Sequence, residues 1–362
     1  SVLQQGAEAC LDPPILEGDC EGVATSWPGG CRPLGGGLDV DLAFTPTRAE
    51  PIDCELVLTA RAASGEVATV RVPLRGAGEV LGPPIFEIMA AAPDRVDLLF
   101  VVDDSGSMQE EQGALADLHG VFALAAEARG VDARMGVVTT DMLAPARRGR
   151  LFGTPPFFDL QGDGAANQWA HDVRVGTQGS GEEQGLAAVA AALSAELNPG
   201  FRRAGAQLTV VVFSDEDDYS PDTVAGYEAQ LLARAGIGPI ALQLHAVVGA
   251  QNGRPAPCQS NLGDADAGRR YAELAAFTGG RVESICAPLA LGLAFISEAT
   301  FGPRRAFEVP PDFGGVGSVL VDGAEQDQWT YDPERTLLRL APDVSLEVGD
   351  VVQIVAPGAC TP

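Results

Sequence analysis

Residues 95–108 read RVDLLFVVDDSGSM, and the reading of the fold turns on that stretch. RVDLLFVV (95–102) is read as one apolar run, as expected of a strand buried on both faces. Asp103-Asp104-Ser105-Gly106-Ser107-Met108 follows at once, a D-x-S-x-S run leaving a strand and entering a helix. Oxygen-bearing side chains at i, i+2 and i+4 of an extended loop converge on one side. Here they offer one carboxylate and two hydroxyls at the mouth of a sheet. Hard divalent cations take such oxygen ligands, and Mg2+ takes about six in an octahedron. Two hydroxyls neutralise little of the ion's charge, so it stays electrophilic, with a position open to an outside carboxylate.

Working outward, strand-like and helix-like patterns alternate from 93 to 300. EEQGALADLHGVFALAAEARG (110–130) predicts a helix closed at Gly130, and DARMGVVTTD (132–141) a strand. EEQGLAAVAAALSAEL (182–197) predicts a helix and AQLTVVVFSD (206–215) a strand. PDTVAGYEAQLLARAG (221–236) predicts a helix opened by Pro221, and IALQLHAVVG (240–249) a strand. GRRYAELAAFTGG (268–280) is a helix stopped by glycines, and RVESIC (281–286) a short last strand. This order predicts the α/β class, a central doubly wound and mostly parallel sheet with helices on both faces. Sites in such sheets lie at the carboxyl ends of the strands. Two further strand ends carry oxygens. Asp215 closes one strand and precedes Glu216, Asp217 and Asp218, while GTQGSGEEQGL (176–186) places Thr177 and Ser180 in a loop opening a helix.

With those loops placed, residues 95–299 resemble a von Willebrand factor A domain with a metal-ion-dependent adhesion site, and LFVVDDSGSM is the most specific part. The resemblance implies that Asp103, Ser105 and Ser107 bind the metal, joined by Asp215 from the third loop. It also implies a second-loop hydroxyl five residues before a Gly-Leu pair. Counting back from Gly185-Leu186 reaches Ser180, with Thr177 as the alternative. Ser in place of the family's Thr keeps the hydroxyl and loses the methyl that fixes its rotamer. Glu216 stands where the family often has Gly. The implied ion is Mg2+, or Mn2+ or Ca2+ in its place. Asp141, Asp217 and Asp218 offer either a second Ca2+ site or a solvated acidic rim. Asp104 is expected to cap a helix or bind water.

The flanks differ in character. Residues 1–92 carry short alternating runs (Leu38–Phe44, Glu55–Ala60, Ala68–Leu74) between turn residues, as in an antiparallel sandwich. Residues 38–78, with Phe44-Thr45-Pro46 and the close VPLRGAG (72–78), resemble the second half of a Hydin-type Ig-like domain. Too few residues precede Leu38 for the early strands of such a sandwich, and a half-sandwich exposes an open edge and an apolar face. Three remedies are open: a disulfide-pinned substitute from Ser1–Pro33, upstream residues removed, or a strand given by a neighbouring molecule. Residues 301–362 return to short strands and form a small β domain, too small for a large core of its own.

Composition narrows the function. The 362 residues carry a formal charge of −27, with no lysine and three histidines. The charge disfavours nucleic acid and anionic membranes as partners. Lacking lysine, the chain has no Schiff-base or P-loop chemistry and no Lys–Asn cross-link; a GC-rich genome accounts for that. His119, His171 and His245 are far apart and form no zinc motif. No GxSxG elbow is present, so an enzyme is not expected. No apolar run approaches the ~20 residues of a membrane helix. Ser1 without a signal pattern reads as a processed mature end or a cut from a longer chain.

Seven widely spaced cysteines without companion histidines point to disulfides and an exported, extracellular or cell-surface bacterial protein. Cys10, Cys20, Cys31 and Cys54 pair among themselves in one of three ways, Cys258 pairs with Cys286, and Cys360 is left over. Cys360 then forms either a long-range intrachain bond that breaks up the first set or a bond between molecules. The expected function is a metal-dependent adhesion module binding an Asp or Glu of a partner protein. The alternative is a self-assembling subunit of an extracellular filament or surface layer.

Overall fold

The computed structural model describes residues 8–33, 40–46, 50–77 and 83–357, so the expectations placed on Ser1 and Cys360 fall outside it. The chain forms two compact units, Ser1–Gly82 and Pro83–Pro362. The α/β class expected from the sequence is corrected by the strand content. The chain is β-rich, 35% strand against 23% helix. Among the described residues, six of the seven sheets are small and wholly antiparallel. The reason lies in the Gly- and Pro-punctuated segments: among the described residues, strands that pair only antiparallel, most of them short, make up 19 of the 24, and parallel strand pairing is confined to one sheet. A doubly wound parallel sheet does not describe this molecule.

The one sheet with parallel pairs carries the loops of interest. In chain order its strands are β1 (Arg95–Val102), β2 (Asp132–Thr139), β3 (Phe152–Asp159), β4 (Gln207–Phe213), β5 (Leu242–Val248) and β6 (Val282–Ser284). Their order in space is β3-β2-β1-β4-β5-β6, with β3 antiparallel to β2. The helices are α1 (Gln109–Ala116), α2 (His119–Arg129), α3 (Ala165–Asp172), α4 (Gly185–Ala192), α5 (Val224–Ala235), α6 (Arg269–Thr278) and α7 (Leu289–Phe301). The single helix expected over 110–130 breaks at Asp117–Leu118 into α1 and α2, and the one expected over 182–197 covers only α4.

Why β1 sits at the centre follows from its residues. Val96, Leu98, Phe100 and Val102 enter an apolar cluster with Phe122, Trp169, Leu293 and Phe301. Leu99 and Val101 enter another with Leu186, Leu231, Tyr271 and Leu274. Each such side chain, fully buried, contributes roughly 1.5–3 kcal/mol. Asp97 is the buried exception and is neutralised: its carboxylate accepts from Arg202 Nη1, Arg203 Nε and the Arg203 amide, all at 2.7 Å.

In the second unit, Ile85–Met89 pairs antiparallel with Val351–Val355, so this strand belongs with the C-terminal sheet and not with the residues before Gly82. Ser318–Val321 and Ala324–Gln326 complete that sheet. A three-stranded sheet (Ala306–Glu308, Leu337–Leu340, Trp329–Asp332) shares its core through Phe307, Leu338, Val319 and Ile354. In the first unit, Ile52–Ala62 pairs with Glu8–Leu11, Ile15–Gly18 and Val67–Gly76. Residues 8–33 give four short strands, pinned by Cys10–Cys31 and Cys20–Cys54.

Candidate metal centre

β1 and β4 end side by side, which brings two acidic loops together. The ladder runs one step past the strands, with the Asp103 amide donating to Phe213 O at 3.0 Å. The chain then turns under Asp103, whose Oδ1 accepts from the Ser105 amide at 2.8 Å, an Asx turn. Oδ2 accepts from Ser214 Oγ at 2.6 Å. Gln112 on α1 locks the turn, its Nε2 donating to Asp103 O (2.8 Å) and Gly176 O (2.9 Å). Gly179 closes the second loop against Asp104: its amide donates to Asp104 O at 2.7 Å, and any Cβ there would collide with the Asp104 carboxylate.

Four of the expected ligands meet. Asp103 is fully buried, Asp215 is 4% exposed, and the Ser105 and Ser107 hydroxyls lie 3.1 Å apart. Two oxygens in neighbouring positions about 2.1 Å from an octahedral Mg2+ would be about 3.0 Å apart. Asp215 Oδ1 is buried without a hydrogen-bond partner, as is Glu183 Oε1. A buried carboxylate oxygen left so is costly, and a cation removes the cost. Hard oxygen donors, a pair at cis spacing and an orphaned carboxylate oxygen fit a divalent cation. Among the described residues no three His, Cys, Asp or Glu side chains converge as a metal-holding group. Two carboxylates with hydroxyls would therefore leave the remaining positions to water or an outside ligand.

The expected second-loop hydroxyls are not tied to these four by hydrogen bonds. Ser180 Oγ accepts from the Glu182 amide at 2.9 Å, and among the described residues neither Ser180 nor Thr177 hydrogen-bonds any of the four. Glu183, from the same loop, lies beside Asp103: it is fully buried and accepts from Thr140 Oγ1. Backbone bonds fix it there, since Gln184 N donates to Thr140 O and Tyr219 N to Glu183 O. Sequence reasoning missed Glu183 by looking for a hydroxyl. The available signal was an acidic residue two positions before the α4 glycine with no basic neighbour to pair with.

Electrostatics mark the group as short of positive charge. Burial pushes the Asp103 carboxyl up, against the pull of Ser214 and Ser105. Burial and the Asp103 charge carry Glu183 up to about 8. Asp215 is pushed up to about 6 by burial, opposed by the Ser107 hydroxyl and reinforced by Asp103. Glu111 and Glu216 rise for the same reasons, burial first and the neighbouring carboxylates after it. Asp104, adjacent in sequence, is neutralised instead by Arg147.

The residues set aside for a second Ca2+ are engaged within the protein. Asp141 Oδ1 accepts from the Leu143 and Ala144 amides (2.8 and 3.0 Å). Asp217 Oδ1 accepts from the Arg270 amide, and Asp218 from Leu186 N, Ser220 Oγ and Arg270 Nε. The histidines are also occupied elsewhere. His119 meets Leu160 O, His171 meets Asp172, and His245 is held down at about 3 by burial and Arg281.

A cleft of about 690 Å³ opens beside Ser107 and Asp215. Its far wall is the hairpin Cys258–Gln259 with Asp264–Ala265, tied back by the Cys258–Cys286 disulfide. Another cleft, about 570 Å³ beside Arg269, Arg281 and Asp343, lies away from the orphaned carboxylates. The three disulfides mark a chain of the extracellular kind, since such bonds persist in oxidising compartments. Among the described residues no helix is long and apolar enough to cross a membrane.

No protein-family model and no curated protein matches the sequence. Among solved structures, proximal thread matrix protein 1 from the mussel byssus is similar at TM-score 0.37 and 12% identity, over 59% of this chain and 49% of that one. The pilus adhesin SpaC from Lactobacillus rhamnosus GG gives TM-score 0.35 and 12% identity, over 86% and 41%. The human COPII-coat protein Sec24c gives 0.35 and 12%, over 76% and 46%. The chain thus spans about half or less of each of these proteins. Likeness this weak fixes neither fold nor function.

Proposed function

We propose that this chain is an extracellular, non-enzymatic adhesion or assembly module. It holds one divalent cation (Mg2+, Mn2+ or Ca2+) with Asp103, Ser105, Ser107 and Asp215, and offers the ion's open position to an Asp or Glu of a partner protein. The observation that carries the reading is the orphaned Asp215 Oδ1, buried in a carboxylate cluster beside two hydroxyls 3.1 Å apart. Two carboxylates balance a +2 ion, so one more carboxylate is accepted without expelling those already there. Melting of chelator-stripped protein tests this. Mg2+ at 100 times its dissociation constant adds about 2.7 kcal/mol. That is a rise of about 5 °C or more for a unit of this size. Asp103→Ala is expected to show no rise, and an equal rise in that variant overturns the assignment.

A second reading, a self-assembling filament or surface-layer subunit, is favoured by Val67–Gly76. Among the described residues this ten-residue strand pairs on one side only, with Val67 and Val70 exposed. Open apolar edges recruit further strands. Light scattering should then find assembly that Val70→Asp reduces. A monomer at every concentration ends this reading.

A further inference from the structure

The cleft beside the metal centre constrains what the partner's carboxylate arrives with. Ser107 and Asp215 are among the residues that line it, and Asp215 carries the buried carboxylate oxygen left without a partner. Its walls then carry Glu216, Asp264 and Asp266, with no Arg among the residues that line it. The wall is built rather than loose. The Asp266 amide donates to Asp215 O at 2.8 Å, Gln259 Nε2 donates to Asp264 Oδ1 at 2.6 Å, and Gln251 Nε2 to Pro257 O at 2.9 Å. Asp264 and Asp266 are both exposed.

Charge arithmetic decides the ligand's character. A +2 ion balances Asp103 and Asp215, and an incoming carboxylate brings the centre to −1. The three wall carboxylates bring the cleft to −4, on a chain whose formal charge is already −27. An acidic segment alone is repelled as it approaches, by the same field that steers a cation inward. The wall carboxylates do not converge on one point, since among the described residues no three acidic side chains form a metal-holding group. Spread along a wall, they suit several separate cationic groups better than a second ion.

Resting on the metal-dependent reading above, we infer that the cleft takes an extended partner segment whose metal-bound Asp or Glu is flanked by Lys or Arg, the cationic side chains pairing with Asp264, Asp266 and Glu216. The partner is thus a basic protein surface presenting one carboxylate, which also suits the acidity of the whole chain.

Three capped peptides test this on the full chain in saturating Mg2+, read by chemical-shift or anisotropy titration: acetyl-Gly-Lys-Glu-Lys-Gly-amide, its Ala-Glu-Ala analogue and its Lys-Gln-Lys analogue. Two exposed ion pairs are worth about fivefold together. The Lys-Glu-Lys peptide should therefore bind about fivefold tighter than Ala-Glu-Ala, and more tightly than Lys-Gln-Lys. The advantage over Ala-Glu-Ala should fall to within about twofold in the Asp264→Asn/Asp266→Asn double variant. Equal binding of Lys-Glu-Lys and Ala-Glu-Ala, an advantage that survives the double variant, or no peptide binding by Mg2+-loaded protein overturns the inference and leaves the metal centre standing. A peptide-free Mg2+ titration separates the other failure. If the wild-type chain binds no Mg2+, the metal reading falls and this inference with it.

Discussion

Replacing Glu183 with glutamine should stabilise the metal-free protein, and by more as the pH rises. Glu183 is buried beside Asp103, and its carboxyl is carried from an ordinary 4.5 up to about 8. A raised acid pKa means that the folded state holds the proton where the unfolded chain has lost it. Stability therefore falls with rising pH between the two values, by about 1.4 kcal/mol per pH unit. Between pH 5.5 and 7.5, inside that window, the wild-type chain loses about 3 kcal/mol through this group. A glutamine side chain cannot ionise, and its amide oxygen can still accept from Thr140 as the carboxylate does. The gain of the E183Q variant over wild type should therefore be about 3 kcal/mol larger at pH 7.5 than at pH 5.5. For a unit of this size that is roughly a 5 °C difference in the Tm shift. Calorimetric melting in chelator at both pH values reads it directly. A shift that is equal at the two pH values, or a destabilisation that grows with pH, refutes the charge-crowded picture of the group.

Two further outcomes concern the scaffold. Asp97→Ala leaves Arg202 and Arg203 without their buried counter-charge and should cost about 3–5 kcal/mol in urea unfolding, with no change in peptide selectivity; a loss below about 1 kcal/mol contradicts the role given to that network. Replacing Cys258 and Cys286 with alanine opens a loop of sequence separation 28 and should cost about 3.5 kcal/mol, while loosening the cleft wall and weakening the Lys-Glu-Lys peptide; unchanged stability refutes it.

The sequence shows what is local and regular. The D-x-S-x-S turn and Asp215 were legible because the first directly follows a run of apolar residues and the second stands one residue past another, and strand ends in one sheet lie together. Glu183 was not, because its position is set by backbone bonds to Thr140 and Tyr219, which no spacing rule foresees. β3 was missed because GTPPFF reads as loop; proline is tolerated there because the strand lies at an edge of the sheet. The strand Ile85–Met89 lies within the segment 1–92, and its pairing with Val351–Val355 has no sequence signal because the two are distant in the chain. The class itself was misjudged for a compositional reason. One conspicuous apolar strand points to helices and parallel pairing, whereas Gly and Pro elsewhere build short antiparallel strands that outnumber the parallel ones. The disulfide framework was legible as to which cysteines take part, and its pairing within the first four became definite only in three dimensions.

The central claim is that the buried carboxylates of Asp103 and Asp215 are arranged for a cation. Isothermal titration of Mg2+, Mn2+ and Ca2+ into chelator-stripped protein, beside Asp103→Ala, tests it most directly. Saturable binding of one ion to the wild-type chain is expected, tightening as the pH rises toward 8 and the carboxyls lose their protons, and lost in the variant. Heat-silent titrations with all three ions, or wild-type affinity in Asp103→Ala, would contradict it.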